Sequence, residues 1–486
     1  MQNNKEIALL PIDNRPVSYL LPKQIADFAG INLNLPDRKK LGDLQNGSDL
    51  SYIDEWVNGL TSNSCLILSL DNWIYGGLVQ SRKHSSSFET LKKRVSDLIK
   101  INKITKYGFS SIMRIPDYNN TDEEKDYWKK YGEKIHKWSK LMHMVGRGIK
   151  EEYKTHDELI EDWYQSTKGI PVEILTNYKS HRDTNFSINM LWQDSLHEKS
   201  FNYLIFSSDD SSKYGLNVIE SEYLRNEIKK HRFESIAKVI SGTDEIPLVL
   251  LTKAQLDITK LKPSISVNFT SIDGANQIAR YESNTIRSSV LNQLEVLNIE
   301  ITDPEKSDIS LIVHLSDSTQ GDHIFNLQPE NTEKSVNNII NILKKSEKSF
   351  IIADLAYANG ADPKLINSLI NSEINWENCY GFSAWNTCSN TVGSALAIGI
   401  NRWIAEKNNV FNKTAFKKCL LTRFLDDFAY QAEIRSLNKG EKEINDMMKK
   451  HVQKFSTLLR LDNISTRCRL PWNRSFEIEI EFVNVI

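Results

Sequence analysis

"FNYLIFSSDD" occupies residues 201–210: an unbroken apolar and aromatic run that ends in two serines and two adjacent aspartates. A strand wetted on one face alternates apolar with polar, whereas a strand covered on both faces does not. The run therefore predicts a buried strand of a parallel sheet, with the carboxylates at its carboxyl end. Working outward, the same form recurs in SIAKVISGTDE (235–245), FSSIMRIPDY (109–118), CLILSLDNW (65–73), INLNLP (31–36) and EIALLPID (6–13). Helical patterns separate these runs: YLLPKQIADFAG (19–30), residues 51–60, FETLKKRVSDLIKINKI (88–104) and residues 216–231. Alternating strands and helices predict an α/β fold with helices on both faces of a parallel sheet, either doubly wound or closed as a barrel.

Residues 121–195 are charged, aromatic and Lys-rich, and read as a helical insertion. After Pro263 the pattern restarts with SISVNFTS (264–271), SLIVHLSD (310–317), SFIIADLAYANG (349–360) and YGFSAW (380–385). The expected organisation is an N-terminal α/β domain over 1–262, a second, smaller α/β domain over 263–408, and a helical C-terminal region over 409–486. Period-two alternation in FEIEIEFVNVI (476–486) predicts a last strand that pairs back onto a sheet.

The totals narrow the function classes. The chain has 486 residues, 61 Lys+Arg against 63 Asp+Glu, and a formal charge of −2. With no basic surplus, neither a nucleic-acid backbone nor an anionic membrane is an expected partner. No run approaches the roughly 18 apolar residues of a membrane helix. The N-terminus lacks a signal-peptide pattern, and the five cysteines form no C-x-x-C, so a cytoplasmic location is expected. P-loop, dinucleotide-fingerprint, H-E-x-x-H and G-x-S-x-G motifs are all missing from the sequence.

In parallel α/β folds, ligands bind beyond the carboxyl ends of the strands. Polar residues collect at those positions: Asp13, Asn14 and Arg15 after the first run; Asp71, Asn72 and Tyr75 after the third; Arg114 after the fourth; Asp209 and Asp210 after the fifth; Asp244 and Glu245 after the sixth. The second lobe adds Asn268, Asn359 and, around a strand-to-helix turn, Trp385, Asn386 and Asn390. Pro16 restricts Arg15 to extended geometry. Asn side chains both donate and accept, and a Trp face suits a sugar ring. Capping of the following helices is the structural alternative for the Asn and Asp positions.

Six blocks, LLPIDNRPV (9–17), LDNWIYGGLVQSR (70–82), SSDDSSKYG (207–215), GTDE (242–245), YANGAD (357–362) and WNTCSNTVG (385–393), together resemble a bacterial family catalogued as a domain of unknown function, family number 4127. The resemblance runs from about residue 7 to about residue 400. It implies a cytoplasmic bacterial protein with its site in these blocks, and implies no activity.

Paired carboxylates in unlike environments can divide into acid and base, the pairing that glycoside hydrolysis uses. The expectation is a hydrolase of a glycosidic bond in a small soluble sugar, acetamido sugars included. Asp209, Asp210, Asp244 and Glu245 would be the catalytic carboxylates, with no cofactor. The alternatives are a Mg²⁺-dependent hydrolase and a non-catalytic small-molecule-binding protein.

Overall fold

The computed structural model describes residues 5–119, 122–151, 153, 155–345 and 347–484. Two parallel sheets hold the chain together. The first contains β1 (Ile7–Leu10), β2 (Leu33–Asn34), β3 (Cys65–Ser69), β4 (Thr105–Ile112), β5 (Tyr203–Ser208) and β6 (Ala237–Ser241), in the order β2-β1-β3-β4-β5-β6. It is open, so the barrel alternative gives way to the doubly wound one. The second lobe holds β7 (Ser264–Phe269), β8 (Glu300–Ile301), β9 (Ile309–His314), the short β10 (Gly321–Asp322), β11 (Ser349–Asp354), the short β12 (Tyr357–Ala358) and β13 (Cys379–Ser383). Its main sheet runs β13-β11-β9-β7-β8, while β10 and β12 pair separately.

Both sheets thus wind alike: the second strand goes to one side of the first, and the third and later strands go to the other. In a doubly wound sheet that reversal opens a crevice at the strand ends. In the first sheet the crevice lies between β1 and β3.

Two helices fill the space between the sheets. Ile246–Thr259 is apolar nearly all round and is buried along most of its length. It escapes a search for helical periodicity because a helix buried on every face has none. Cys388–Lys407 packs against it, and Asn401 Nδ2 donates to Thr252 Oγ1 at 2.8 Å. Gly393 permits the approach, since a Cβ there would collide with the Glu245 side chain. One apolar cluster runs from Ile7 and Ile67 in the first sheet through Val249 and Leu396 to Leu311 and Ile351 in the second.

Two segments differ from the sequence expectation, the third run and the last strand, while the insertion is helical as expected. The run CLILSLDNW is a strand only to Ser69, whose Oγ accepts from Asn72 N at 3.1 Å and starts the helix Leu70–Tyr75. The insertion is three helices, Trp128–Arg147, His156–Lys168 and Val172–Asp194, with residues 121, 152 and 154 outside the described set. The C-terminal strand does not join either large sheet. Here β15 (Glu479–Asn484) pairs antiparallel with β14 (Ile464–Arg469) as a separate hairpin, and residues 485 and 486 lie outside the described residues. Ahead of the hairpin come helices Lys413–Arg423 and Glu441–Leu459, separated by an eleven-residue π-helix, Phe424–Ile434. No helix among the described residues is long and apolar enough to cross a membrane.

Candidate functional site

The carboxyl ends of β1, β4, β5 and β6 converge on a cavity of about 200 Å³. Arg15 is extended, with φ −67° and ψ 156°, as the following Pro16 requires. Its Nε donates to Asp13 Oδ2 at 2.8 Å, and its two terminal nitrogens donate to Asp244 at 3.2 and 2.5 Å. Glu477 lies 3.7 Å from the same guanidinium, and burial pushes its carboxyl up to about 8 against the pull of Arg15. One planar fork thereby ties the β1 turn to the β6 turn.

Arg82, at the end of helix Leu78–Lys83, donates to Asp209 at 2.6 Å and to Glu123 at 3.0 Å. Arg114, beyond β4, donates to Asp210 at 2.6 Å, to Glu123 at 2.7 Å and to Glu124 at 2.9 Å. Arg474 reaches Glu123 as well. Against its burial, Arg114, Arg82 and Arg474 hold Glu123 well below the usual carboxylate range. Asp210 moves the other way: burial and the adjacent Asp209 raise it to about 7, opposed by Arg114 and Arg82. Asp210 also has a positive φ of 30°, a conformation that costs a non-glycine residue energy and gathers at functional sites.

The cavity lining carries four guanidiniums (Arg15, Arg82, Arg114, Arg474) against five carboxylates (Asp13, Glu123, Asp209, Asp210, Asp244). Its apolar surface comes from Leu78, Val79, Trp472 and Phe476. The Trp472 ring packs between Arg15 and Arg474, with ring-centre distances of 5.3 and 4.9 Å. Asn386 enters from the second lobe with φ 62°.

The sequence-derived residues fall into two groups. Asp13, Arg15, Arg114, Asp209, Asp210, Asp244 and Asn386 line this one cavity. The others lie outside its lining. Asn14 Oδ1 accepts from Trp472 Nε1 at 2.7 Å, holding that ring from behind. Asp71 is buried, accepts from Ser111 N at 2.8 Å, and is raised to about 7 by burial. Asn72 Nδ2 donates to the Pro11 carbonyl at 2.7 Å and fixes the β1 turn. Tyr75 stacks on His84 at 4.7 Å. Glu245 is fully buried at the start of helix Ile246–Thr259, where its Oε1 accepts from Gln293 at 2.9 Å, and burial raises its carboxyl. Asn268 stays on β7, and Asn359 turns to Asp322 at 3.4 Å. Trp385 is 1% exposed, with its ring edge-on to Phe476, so it offers the cavity no face. Asn390 donates to Thr387 Oγ1 at 2.9 Å from inside the first turn of its helix.

Leu78, Val79, Glu123, Trp472, Arg474 and Phe476 are the lining residues that sequence reading passed over. The last three stand at every second position in PWNRSF, but the segment is not a strand: Pro471–Asn473 is a 3-10 turn with Trp472 and Asn473 at positive φ, 56° and 54°. Among the described residues, no three His, Cys, Asp or Glu side chains are grouped to hold a metal ion. On the Mg²⁺ alternative the ligands would be Asp13, Asp71, Asp209, Asp210 and Asp244; four of these have guanidinium partners and Asp71 has a backbone N–H. A wider groove of about 860 Å³ opens at the opposite edge of the first sheet, near Lys5, Cys65 and Thr105. Its walls hold one carboxylate, Asp257.

Comparison with known proteins finds no match among curated proteins and none among solved structures. One family model matches residues 7–481, a span that continues past residue 400 to include Trp472, Arg474 and Phe476. The chain therefore belongs to the family described as "Protein of unknown function (DUF4127)".

Proposed function

We propose that the cavity hydrolyses a glycosidic bond in a small soluble saccharide, with Asp210 as the general acid and Asp209 as its carboxylate partner. The supporting observation is the adjacent pair of carboxyls at the end of β5, each held at 2.6 Å by a different guanidinium, Asp209 by Arg82 and Asp210 by Arg114. Burial and its neighbour raise Asp210 to about 7 against Arg114 and Arg82, which supports a proton to give near neutral pH. Asp209, oriented by Arg82, is the partner that stabilises the developing oxocarbenium charge or directs a water. Three further features fit. The near balance of guanidiniums and carboxylates suits a hydroxyl-rich ligand better than a phosphate. Trp472 with Leu78, Val79 and Phe476 supplies an apolar wall for the C–H surface of a sugar. A volume of about 200 Å³ is below the ~300–1,000 Å³ of sites for drug-sized ligands. Asp244 and Glu245 become positioning residues, the first through Arg15 and the second from beneath.

A panel of chromogenic glycosides, acetamido sugars included, tests this with and without EDTA. Turnover should survive EDTA and fall as pH rises through about 7, because the acid form of Asp210 is lost there. Asp210→Asn and Asp209→Asn should each lower kcat by about 10²–10⁴-fold. Turnover abolished by EDTA would support the Mg²⁺ reading instead. A saccharide that raises Tm without being cleaved would make the protein a binder, and full activity in Asp210→Asn would remove the acid.

A further inference from the structure

Beside the charged cavity lies a second chamber of about 210 Å³, and Tyr118 and Asp210 belong to the walls of both. Its other walls come from the loop after β5, from Arg280–Glu282 of the second lobe, and from His136 on the insertion helix Trp128–Arg147. The first chamber is walled by paired guanidiniums and carboxylates, with Arg474 Nε left unpartnered. The second has fewer charges. In the second, Ser211 is 4% exposed, yet its Oγ has no hydrogen-bond partner among the described residues. The buried Nε2 of His136 has none either. Buried polar atoms are nearly always paired; Ser211 and His136 both line the chamber and each carries one unpaired atom, which a turn of the Ser211 hydroxyl or a flip of the His136 ring would bring to an occupant with polar atoms of its own.

The backbone gives a second indication. Asp210 and Tyr281 both hold positive φ, 30° and 64°, and the Ser211 N–H joins them by donating to the Tyr281 carbonyl at 2.9 Å. Strained residues linked across a boundary between lobes persist where the surroundings over-determine them, typically at ligand sites. Size gives a third. Neither chamber alone reaches the ~300 Å³ lower end of small-molecule sites, while the two joined at Asp210 do.

We infer that the second chamber is the leaving-group half of the same site, and that the substrate is a two-ring saccharide spanning both chambers with its linking oxygen at Asp210. This rests on the glycosidase reading. One ring lies against Trp472, and the leaving ring lies between His136, Ser211 and Tyr281. Asp210 passes its proton to the linking oxygen, the bond from that oxygen to the first ring breaks, and the second ring departs as an alcohol. Water then adds to the first ring and returns a proton to Asp210, so one water is consumed per bond. His136 and Ser211 set the preference for the leaving ring.

The test uses the full chain and two substrates that share the first sugar: a dinitrophenyl glycoside and the matching disaccharide. Both are chosen from the sugar that the chromogenic panel identifies. The dinitrophenolate leaves with little help, so it depends less on the second chamber. His136→Phe and Ser211→Val should each lower kcat/KM for the disaccharide at least about tenfold more than for the dinitrophenyl glycoside, mainly through KM. If either variant fails to fold, Ser211→Ala carries the same comparison. Equal losses on the two substrates, or no loss on the disaccharide, would overturn the second subsite and leave the glycosidase reading intact. Failure of the unmodified protein to cleave any glycoside would overturn that reading and the subsite with it.

Discussion

Asp71 and Asp13 look alike in the sequence, each following an apolar run, yet only Asp13 reaches the cavity. What separates them is Ser69, whose cap starts a helix at Leu70 directly after β3, whereas the helix after β1 starts only at Pro16, and this sends Asp71 down to Ser111 N. Depth beneath a sheet edge depends on that backbone turn and on the neighbouring strand, neither of which residue type or spacing reveals. The burial of Asp71 has a pH consequence. Its folded value, about 7, lies above the ordinary aspartate value of about 3.9, so the folded state holds its proton where the unfolded state has lost it. Stability therefore declines as pH rises from about 4 to 7, by up to ~1.4 kcal/mol per pH unit, and levels off above. Asp71→Asn keeps an acceptor for Ser111 and cannot ionise. Denaturant titrations should show variant and parent nearly equal at pH 4 and the variant gaining steadily up to pH 7. A gap that does not widen across that window would show that Asp71 ionises at its ordinary value.

At the scale of elements, the π-helix Phe424–Ile434 explains how a late segment becomes a wall of the site. Its i→i+5 winding adds a residue per turn, a feature that recurs near functional sites. Tyr430 Oη donates to the Ser475 carbonyl at 2.9 Å, and Gln431 Nε2 donates to the Phe476 carbonyl at 3.0 Å. On another side Asp427 accepts from Ala384 N at 2.7 Å and from Arg423 at 3.0 Å, fixing the end of β13 next to Asn386. Each strap contact is worth about 0.5–1.5 kcal/mol. Removing both in Tyr430→Phe/Gln431→Ala should leave the global unfolding midpoint little changed, speed protease cleavage within 470–478, and raise KM for any glycoside that is turned over. Protease resistance equal to that of the parent would mean that the strap is held by other contacts. Element types were largely legible: ten strand segments were read from apolar runs. The tiny β8 and β10, the strand β14 and the helix Ile246–Thr259 were not: the first two for want of length, β14 because ISTRCR is polar and carries no apolar run, and the helix because it is apolar nearly all round. The π-helix has no sequence period by which to recognise it.

Over the whole molecule, two sheets of the same winding share one core, because helix Ile246–Thr259 packs on the first sheet, helix Cys388–Lys407 packs on the second, and the two helices pack on each other. Unfolding either sheet would free its helix and expose the apolar face of the other, so the lobes should unfold together. Denaturant curves followed by far-UV circular dichroism and by tryptophan fluorescence should coincide in a single transition. Two resolved transitions would show that the paired helices do not couple the lobes. The sequence break at Pro263 was legible as a restart of the pattern, but the continuity of the core across it was not, since it lies in the unread helix. The strap carries a further consequence, one of timing. Asp13 leaves the ribosome early and Asp209 and Asp210 midway, whereas Trp472, Arg474 and Phe476 come only after both sheets have been made. Domains fold as they emerge, so a growing chain has its carboxylates in hand before residues 471–476 exist to close that side of the pocket. A messenger cut short ahead of Trp472 would therefore yield a cavity with its charges in place and one wall open.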